Sequence, residues 1–504
     1  MFLIFMGFLV VLGVMLGWHR IIECADGIIF RLRALGRANS GMDAPLVMLS
    51  KTDGLSTRDL FEHVVVFGRT GSGKTSGPGR HLAEHILRAG WSGMVICVKP
   101  DDAATWLRYC RDTGRAEDVV HFRTHGDYRL NPLSYSVKAG GGAYIENLLS
   151  LAVNLNAVAQ GDRSKGAGED PFWINSTKEM LRSALVPLRL ACPTLSFVDL
   201  YQMVESAAQS VEEVRSARWQ EESFCHRAIE TACAMAATEE DRFDMEFACR
   251  YWLSFFPAWA ERTRSSVVSM FTSMASGFLY SPFRELFCTD TNVTPEDIHA
   301  GRIMLVDFPL KVHETMGRQA STLLKWLFMK ATERRRTSNP CFIFADEAHL
   351  SLVAADDTEL SFLTTARSSN VACIYMTQSV TNFKSYLSGG QGADAQVDAL
   401  AGNFKTQIFL NNHSQETNRY AASLFGKVGR IRTSYNAGHG GREGYENHSG
   451  GGSEHLEDAI HPHEFSQLPT GGPAHGGHVG AVIYKGGEIF RQSGTNALRT
   501  LFRQ

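Results

Sequence analysis

The run Gly68-Arg69-Thr70-Gly71-Ser72-Gly73-Lys74-Thr75 places its residues in the order G-x-x-x-x-G-K-[ST]. That order suits phosphate chemistry. Glycines let backbone N–H groups curl around a phosphate without side-chain collision, and a helix begun near Lys74 would point its positive dipole end at it. Lys74 would then reach the β and γ oxygens, and the Thr75 hydroxyl would take a Mg²⁺ position. A second constellation is Phe342-Ile343-Phe344-Ala345-Asp346-Glu347, a buried-strand pattern with two carboxylates where it ends. Asp346 would hold Mg²⁺ through water, and Glu347 would polarise an attacking water as general base. Gln378, in IYMTQS, is placed to sense a γ-phosphate or aim water. Arg367, eleven residues earlier in TTARSSN, could project to a neighbouring subunit and stabilise charge developing in transfer. The bland alternatives are a ligand-free glycine turn, a solvated pair of strand-end acids and a solvated helix-end arginine.

Such groups need a scaffold of strands that end where the chemistry sits. From Glu62 the pattern is α/β: a strand at Val64–Phe67, the glycine loop, a helix to about Arg88, a strand at Met94–Val98, a helix through Trp106 and Arg111, and a strand at Val119–Phe122. Strand alternating with helix predicts a parallel sheet with right-handed crossovers. Between about Ala143 and Ser281 the apolar spacing turns helical, and strand signals return at Arg302–Phe308, Cys341–Phe344, Val371–Met376 and Lys405–Leu410. The expected organisation is an α/β nucleotide-binding domain, 61–140 and 291–504, interrupted by an all-α insertion at 141–290. Trp173, Trp219, Trp252 and Trp259 in that insertion read as core rather than base-stacking platforms. The Gly/His-rich stretch 433–458 reads as a mobile surface loop, in preference to a metal site built on His439, His448 and His455. A closing hairpin is expected from Gly480–Tyr484 and Glu488–Gln492 around Lys485-Gly486-Gly487.

The chain has 504 residues, too many for one ordinary core, and its 44% hydrophobic and 20% charged make-up excludes disorder. Fifty basic and fifty-three acidic residues leave a formal charge of −3, so any contact with nucleic acid must be local. Ten cysteines without a C-x-x-C argue against a disulfide scaffold or zinc ribbon and fit a reducing cytoplasm. Phe2–Trp18 is an almost unbroken apolar run, closed by His19 and Arg20. As a helix its 17 residues rise about 26 Å. We expect a membrane anchor over 1–20 and a juxtamembrane linker over 21–60. Arg20, Arg31, Arg33 and Arg37 place the bulk of the chain on the cytoplasmic side of the inner membrane.

The order GRTGSGKT, VICVKPDD, RLNPLSY, helical insertion, RIMLVDF, FADEAHL, the arginine before TQS and LAGNFKTQIFLNN resembles the type IV secretion coupling proteins, TraG/TraD-like ATPases of conjugation machines. The resemblance runs from about Phe61 to the carboxyl end. Asn131-Pro132-Leu133, the place of the insertion and the Arg367–Gln378 spacing carry more of it than the phosphate loop, which many families share. It implies a RecA-like P-loop domain with an inserted all-α domain, hexameric around a channel. It further implies ATP and Mg²⁺ as cofactors and single-stranded DNA or a relaxase–DNA complex as cargo, passed to secretion channel proteins. Lys74, Thr75, Asp346, Glu347, Gln378 and Arg367 fall on that family's ATPase positions. Two departures stand out: one apolar run where the family commonly carries two membrane helices, and Val98 before Lys99 where an acidic residue is usual, which leaves Lys99 without a clear role. Two other readings remain open from the residues, a translocase acting on duplex DNA and a non-catalytic docking protein that recruits cargo through its helical insertion.

Overall fold

The computed structural model describes residues 41–160, 171–335, 338–353, 358–387, 393–439 and 446–504. The apolar run Phe2–Trp18, expected as a membrane anchor, lies outside the described residues. Among the described residues no helix is long and apolar enough to cross a membrane. The strands, in chain order, are β1 Pro45–Met48, β2 Gly54–Ser56, β3 Val64–Phe67, β4 Ser92–Cys97, β5 Val119–Arg123, β6 Ile303–Asp307, β7 Cys341–Ala345, β8 Val371–Thr377, β9 Thr406–Phe409, β10 Lys427–His439, β11 Glu446–Asp458, β12 His478–Lys485 and β13 Ala497–Arg503.

The described chain forms two compact units. The first contains Ile86–Ile374 and Lys384–Asn403. Its strands follow the order β8-β7-β4-β6-β5, with β4 parallel to β6 and β7, and β5 parallel to β6. Every residue of β4 and of β7 is buried, the mark of a parallel sheet covered on both faces. Between β5 and β6 the described residues are mostly helical, from Pro132–Gly140 through Tyr144–Gln160 and Pro171–Ala191 to Pro295–His299. Trp219 and Trp252 are buried there, and the Trp252 indole donates to the Ser183 carbonyl at 2.8 Å, whereas Trp173 and Trp259 are half-buried.

Asn131-Pro132-Leu133 opens this helical stretch for a physical reason. The Asn131 side chain accepts from the Ser134 N–H at 3.1 Å and caps a helix whose first residue is Pro132, where a missing N–H does no harm. The same asparagine is wholly buried; its backbone N–H donates to the Thr291 hydroxyl at 3.0 Å, and its side-chain amide donates to the Thr289 carbonyl at 3.1 Å. Arg129 adds a bidentate pair to Asp290 at 2.6 and 3.1 Å. The stretch therefore leaves and rejoins the sheet through one clasp.

The second unit contains Met42–His85, Tyr375–Phe383 and Phe404–Gln504, with strand order β13-β12-β9-β3-β8. β3 and β9 are parallel; β12 is antiparallel to both β9 and β13. β3 covers Val64–Phe67, as the sequence indicates, and all four residues are buried. Three expectations need correction. Part of the 21–60 linker is a small antiparallel pair, β1 with β2. The described residues of 433–458 form strands in place of the expected mobile loop: β10 and β11 pair antiparallel from Lys427↔Asp458 to His439↔Glu446. Glu488–Gln492 is not the last strand; β12 pairs instead with Ala497–Arg503. The backbone N–H groups of Arg491 and Gln492 donate to the Asp53 carboxylate at 2.6 and 3.0 Å, so they are not available to a ladder.

Candidate phosphate loop and acidic strand end

In the second unit the chain leaves β3 at Phe67 and turns through Gly68–Thr75. The Gly68 N–H donates to the Thr377 carbonyl at 3.2 Å, and the Arg69 N–H to the Asn411 carbonyl at 3.0 Å. Gly71 and Gly73 have φ of +75° and +84°, in the left-handed region that L side chains avoid. A Cβ at Gly73 would also stand 2.4 Å from a Val479 methyl, and one at Gly68 would stand 2.5 Å from the Ser72 hydroxyl. The helix then begins with a widened turn, Thr75–Gly79, before Arg80–Arg88. Pro78 explains it. Having no N–H, Pro78 cannot serve the Lys74 carbonyl, and the Gly79 N–H reaches back to it at 2.8 Å instead. The Lys74 ammonium is turned over the loop, donating to the Gly68 carbonyl at 2.7 Å, and the residue is 6% exposed. A glycine loop with two left-handed residues and a buried ammonium fits a polyphosphate.

In the first unit β7 ends at Ala345, and Asp346 and Glu347 follow, both buried. Glu347 adopts φ 49°, ψ 49°, a left-handed conformation uncommon outside glycine and asparagine, and its N–H donates to Asp346 Oδ1 at 2.9 Å. Lys99 lies over the pair: its Nζ is 2.6 Å from Asp346 Oδ2 and 3.6 Å from Glu347 Oε1. Burial opposes the Lys99 charge, but Asp346, by charge and by hydrogen bond, with Glu347 and Asp102 outweighs it and holds the ammonium above its ordinary pKa. Asp102 accepts from the Val98 and Lys99 N–H groups at 3.1 and 2.9 Å. Burial first, and then the charge of Asp346, push its carboxyl up to about 6. Two clustered carboxylates held by one cation suit a divalent metal, whose charge can take the place of the ammonium. Behind them Lys325 and Glu359, at most 1% exposed, form an ion pair of 2.8 Å. Lys325 also donates to the Ser351 carbonyl at 3.1 Å, and Glu359 accepts from the Val353 N–H at 3.0 Å, so the pair anchors the segment that follows the acids.

The structure does not bring Arg367 to the acids of its own unit. The Cys341 N–H donates to the Asn370 carbonyl at 3.0 Å, which sets the residues just before β8 beside the start of β7. Asp346 follows the other end of β7, so all of Cys341–Ala345 lies between, about 16 Å of strand. Arg367 is exposed. Gln378 directly follows β8 in the second unit, and its carbonyl accepts from the Asn412 amide at 2.7 Å. Sequence reasoning passed over three residues. Lys99 has no acidic neighbour before it in sequence; its partners Asp346 and Glu347 follow β7, and only the β4–β7 pairing reveals them. Asn411 and Asn412 stood in the quoted LNN, and two asparagines at a buried strand end were the available signal.

A glycine-rich loop after one strand and an acid pair after another define a P-loop α/β protein. Comparison narrows the class. Residues 340–470 match the family model described as the TraM recognition site of TraD and TraG. Among solved structures the chain is similar to the bacterial conjugative coupling protein TrwBdeltaN70, unbound form, at 14% identity and a TM-score of 0.57, over 92% of this chain and 90% of that one. It is likewise similar to plasmid coupling protein TrwB in complex with the non-hydrolysable GTP analogue GDPNP, at 14% identity and a TM-score of 0.58, over 91% and 89%. The TrwB complex with ADP and Mg²⁺ matches at 12% identity and 0.51, over 92% and 91%. No curated protein matches the chain. The fold is that of TrwB, and residues 340–470 are TraG/TraD-like.

Proposed function

We propose that the chain is a membrane-anchored ATPase that couples a DNA–protein substrate to a type IV secretion channel and drives its transfer by ATP hydrolysis. One observation carries this reading: an unbroken phosphate loop, Gly68–Thr75, stands in a chain whose residues 340–470, holding Asp346, Glu347, Arg367 and Gln378, match the TraD/TraG model. Gly71 and Gly73 would supply backbone N–H groups, Lys74 the charge on the β and γ oxygens, and Thr75 a hydroxyl for Mg²⁺. Asp346 would hold Mg²⁺ through water, Glu347 would take the proton of the attacking water, and Gln378 would orient it. Mg²⁺, when bound, supplies charge that offsets the phosphate oxygens. That TrwB has been solved with ADP and Mg²⁺ supports the same cofactors here. The remoteness of Arg367 from its own acids supports a finger offered to a neighbouring copy, and with it a homo-hexameric ring. The apolar run Phe2–Trp18 supports a single-pass anchor in the bacterial inner membrane, with single-stranded DNA or a relaxase–DNA complex as cargo and channel proteins as partners.

The test is ATP hydrolysis by the cytoplasmic part, from about residue 45, at several protein concentrations, with and without single-stranded DNA. Activity per subunit is expected to rise with concentration and with DNA, and Lys74→Ala and Arg367→Ala are each expected to lose it at least about 100-fold. Flat activity, indifferent to DNA and to Arg367, would sink the finger and bring the docking-protein reading forward. Stronger stimulation by duplex would favour an intracellular translocase.

A further inference from the structure

In the second unit β3 and β9 run parallel, with Phe67 opposite Phe409. Their pairing outlasts both strands. The Leu410 N–H donates to the Phe67 carbonyl at 2.8 Å, and the Arg69 N–H to the Asn411 carbonyl at 3.0 Å, so Asn411 stands opposite the second residue of the phosphate loop. Its side chain repeats the bond. Asn411 Oδ1 accepts from Arg69 Nε at 2.7 Å, while Nδ2 donates to the Ser466 and Leu468 carbonyls at 2.9 and 2.8 Å. The partners fix the amide's orientation, since a guanidinium can only donate and two carbonyls can only accept.

Asn412 is spent as fully on a different element. Its N–H donates to the Phe465 carbonyl at 3.2 Å, and Oδ1 accepts from the Ser414 N–H at 2.9 Å. Its carbonyl accepts from the Asn418 amide at 3.1 Å. Nδ2 donates to the Gln378 carbonyl at 2.7 Å. Asn411 and Asn412 are 5% and 4% exposed. A buried amide with every polar group bonded has one orientation, and whatever it holds inherits that orientation.

We infer that Asn411 and Asn412 are two positioning residues with separate duties: Asn411 sets the phosphate loop through Arg69, and Asn412 sets the backbone from which Gln378 projects. This rests on the reading of the chain as an ATPase. The loop governs nucleotide binding and Gln378 the attacking water, so the two substitutions separate in kinetics. Asn411→Ala is expected to raise KM for ATP and the Kd of a fluorescent ADP analogue about tenfold with kcat changed less than about threefold. Asn412→Ala is expected to lower kcat about tenfold and leave that Kd within about twofold.

The experiment measures both quantities on the full-length protein, beside the near-isosteric Asn411→Asp and Asn412→Asp. Asn412→Asp keeps the acceptor for Ser414 but cannot donate to Gln378, so it should match Asn412→Ala in kcat. Asn411→Asp keeps the acceptor for Arg69 and loses two donors, so it should fall between wild type and Asn411→Ala in Kd. The aspartates also serve should an alanine variant not fold. If all variants change Kd and kcat alike, in proportion to their loss of melting temperature, the residues are merely structural and the inference is overturned. Wild-type values in every variant overturn it too. A wild-type protein that binds no nucleotide overturns the ATPase reading itself, a separate failure visible before any variant is made.

Discussion

Between Phe67 and Arg80 the chain carries no carboxylate, and its path is set by glycine and by backbone hydrogen bonds; the end of β7 gathers Asp346, Glu347, Lys99 and Asp102 into buried or half-buried surroundings. The loop is a matter of shape. The strand end is a matter of charge, and it holds only while each charge has its partner. The two should therefore fail in different ways: the loop when a side chain is added, the acids when one is taken away.

The largest effect is expected behind the acids. Lys325→Met leaves Glu359 buried beside an apolar chain and should destabilise the protein by about 3–5 kcal/mol in chemical denaturation. Removing both charges, Lys325→Met with Glu359→Gln, should recover more than half of that. A double variant as unstable as the single one would mean that packing, not charge, is what the pair supplies. The loop comes next. Gly73→Ala combines a left-handed backbone with the Val479 contact and should destabilise by about 2–4 kcal/mol. Adding Val479→Ala should relieve the collision and leave the backbone strain, about 1–2 kcal/mol. Full recovery would show that shape at Gly73 is packing alone.

The smallest effect is the most specific. With its carboxyl raised to about 6, Asp102 favours the folded state fully below the unfolded value of 3.8, and that advantage is lost as pH rises through 6. Asp102→Asn removes the buried charge and keeps an acceptor for the Val98 and Lys99 N–H groups. It should raise stability by about 1–3 kcal/mol at pH 8 and by about a third of that at pH 4.5. Equal gains at both pH values would show that Asp102 is not strained by its charge.

Much of the shape was open to reading because it is local. β3 follows from four consecutive apolar residues before a glycine, and the left-handed glycines from the spacing of the loop. What escaped reading depends on neighbours remote in sequence. Lys99 acquires its role because β4 pairs with β7, some 250 residues on. The last strand was misplaced because Asp53, far upstream, takes the N–H groups of Arg491 and Gln492. The glycines of 433–458 weaken strand propensity residue by residue, yet a 13-pair register holds the ribbon together. The candidate site divides in the same way: its reactive groups sit in motifs, and the asparagines that hold them sit in pairings.

The clasp at Asn131 has a consequence beyond its own bonds. Because the helical stretch departs at Arg129–Asn131 and returns at Thr289–Asn292, the strands meet it as a single doorway of fixed width. Lengthening a segment whose ends are already pinned together adds little closure entropy, growing only with the logarithm of its length. The room behind the door can thus be refurnished, helix by helix, while β5 and β6 keep their register. One sheet can in this way carry helical stretches of different make-up.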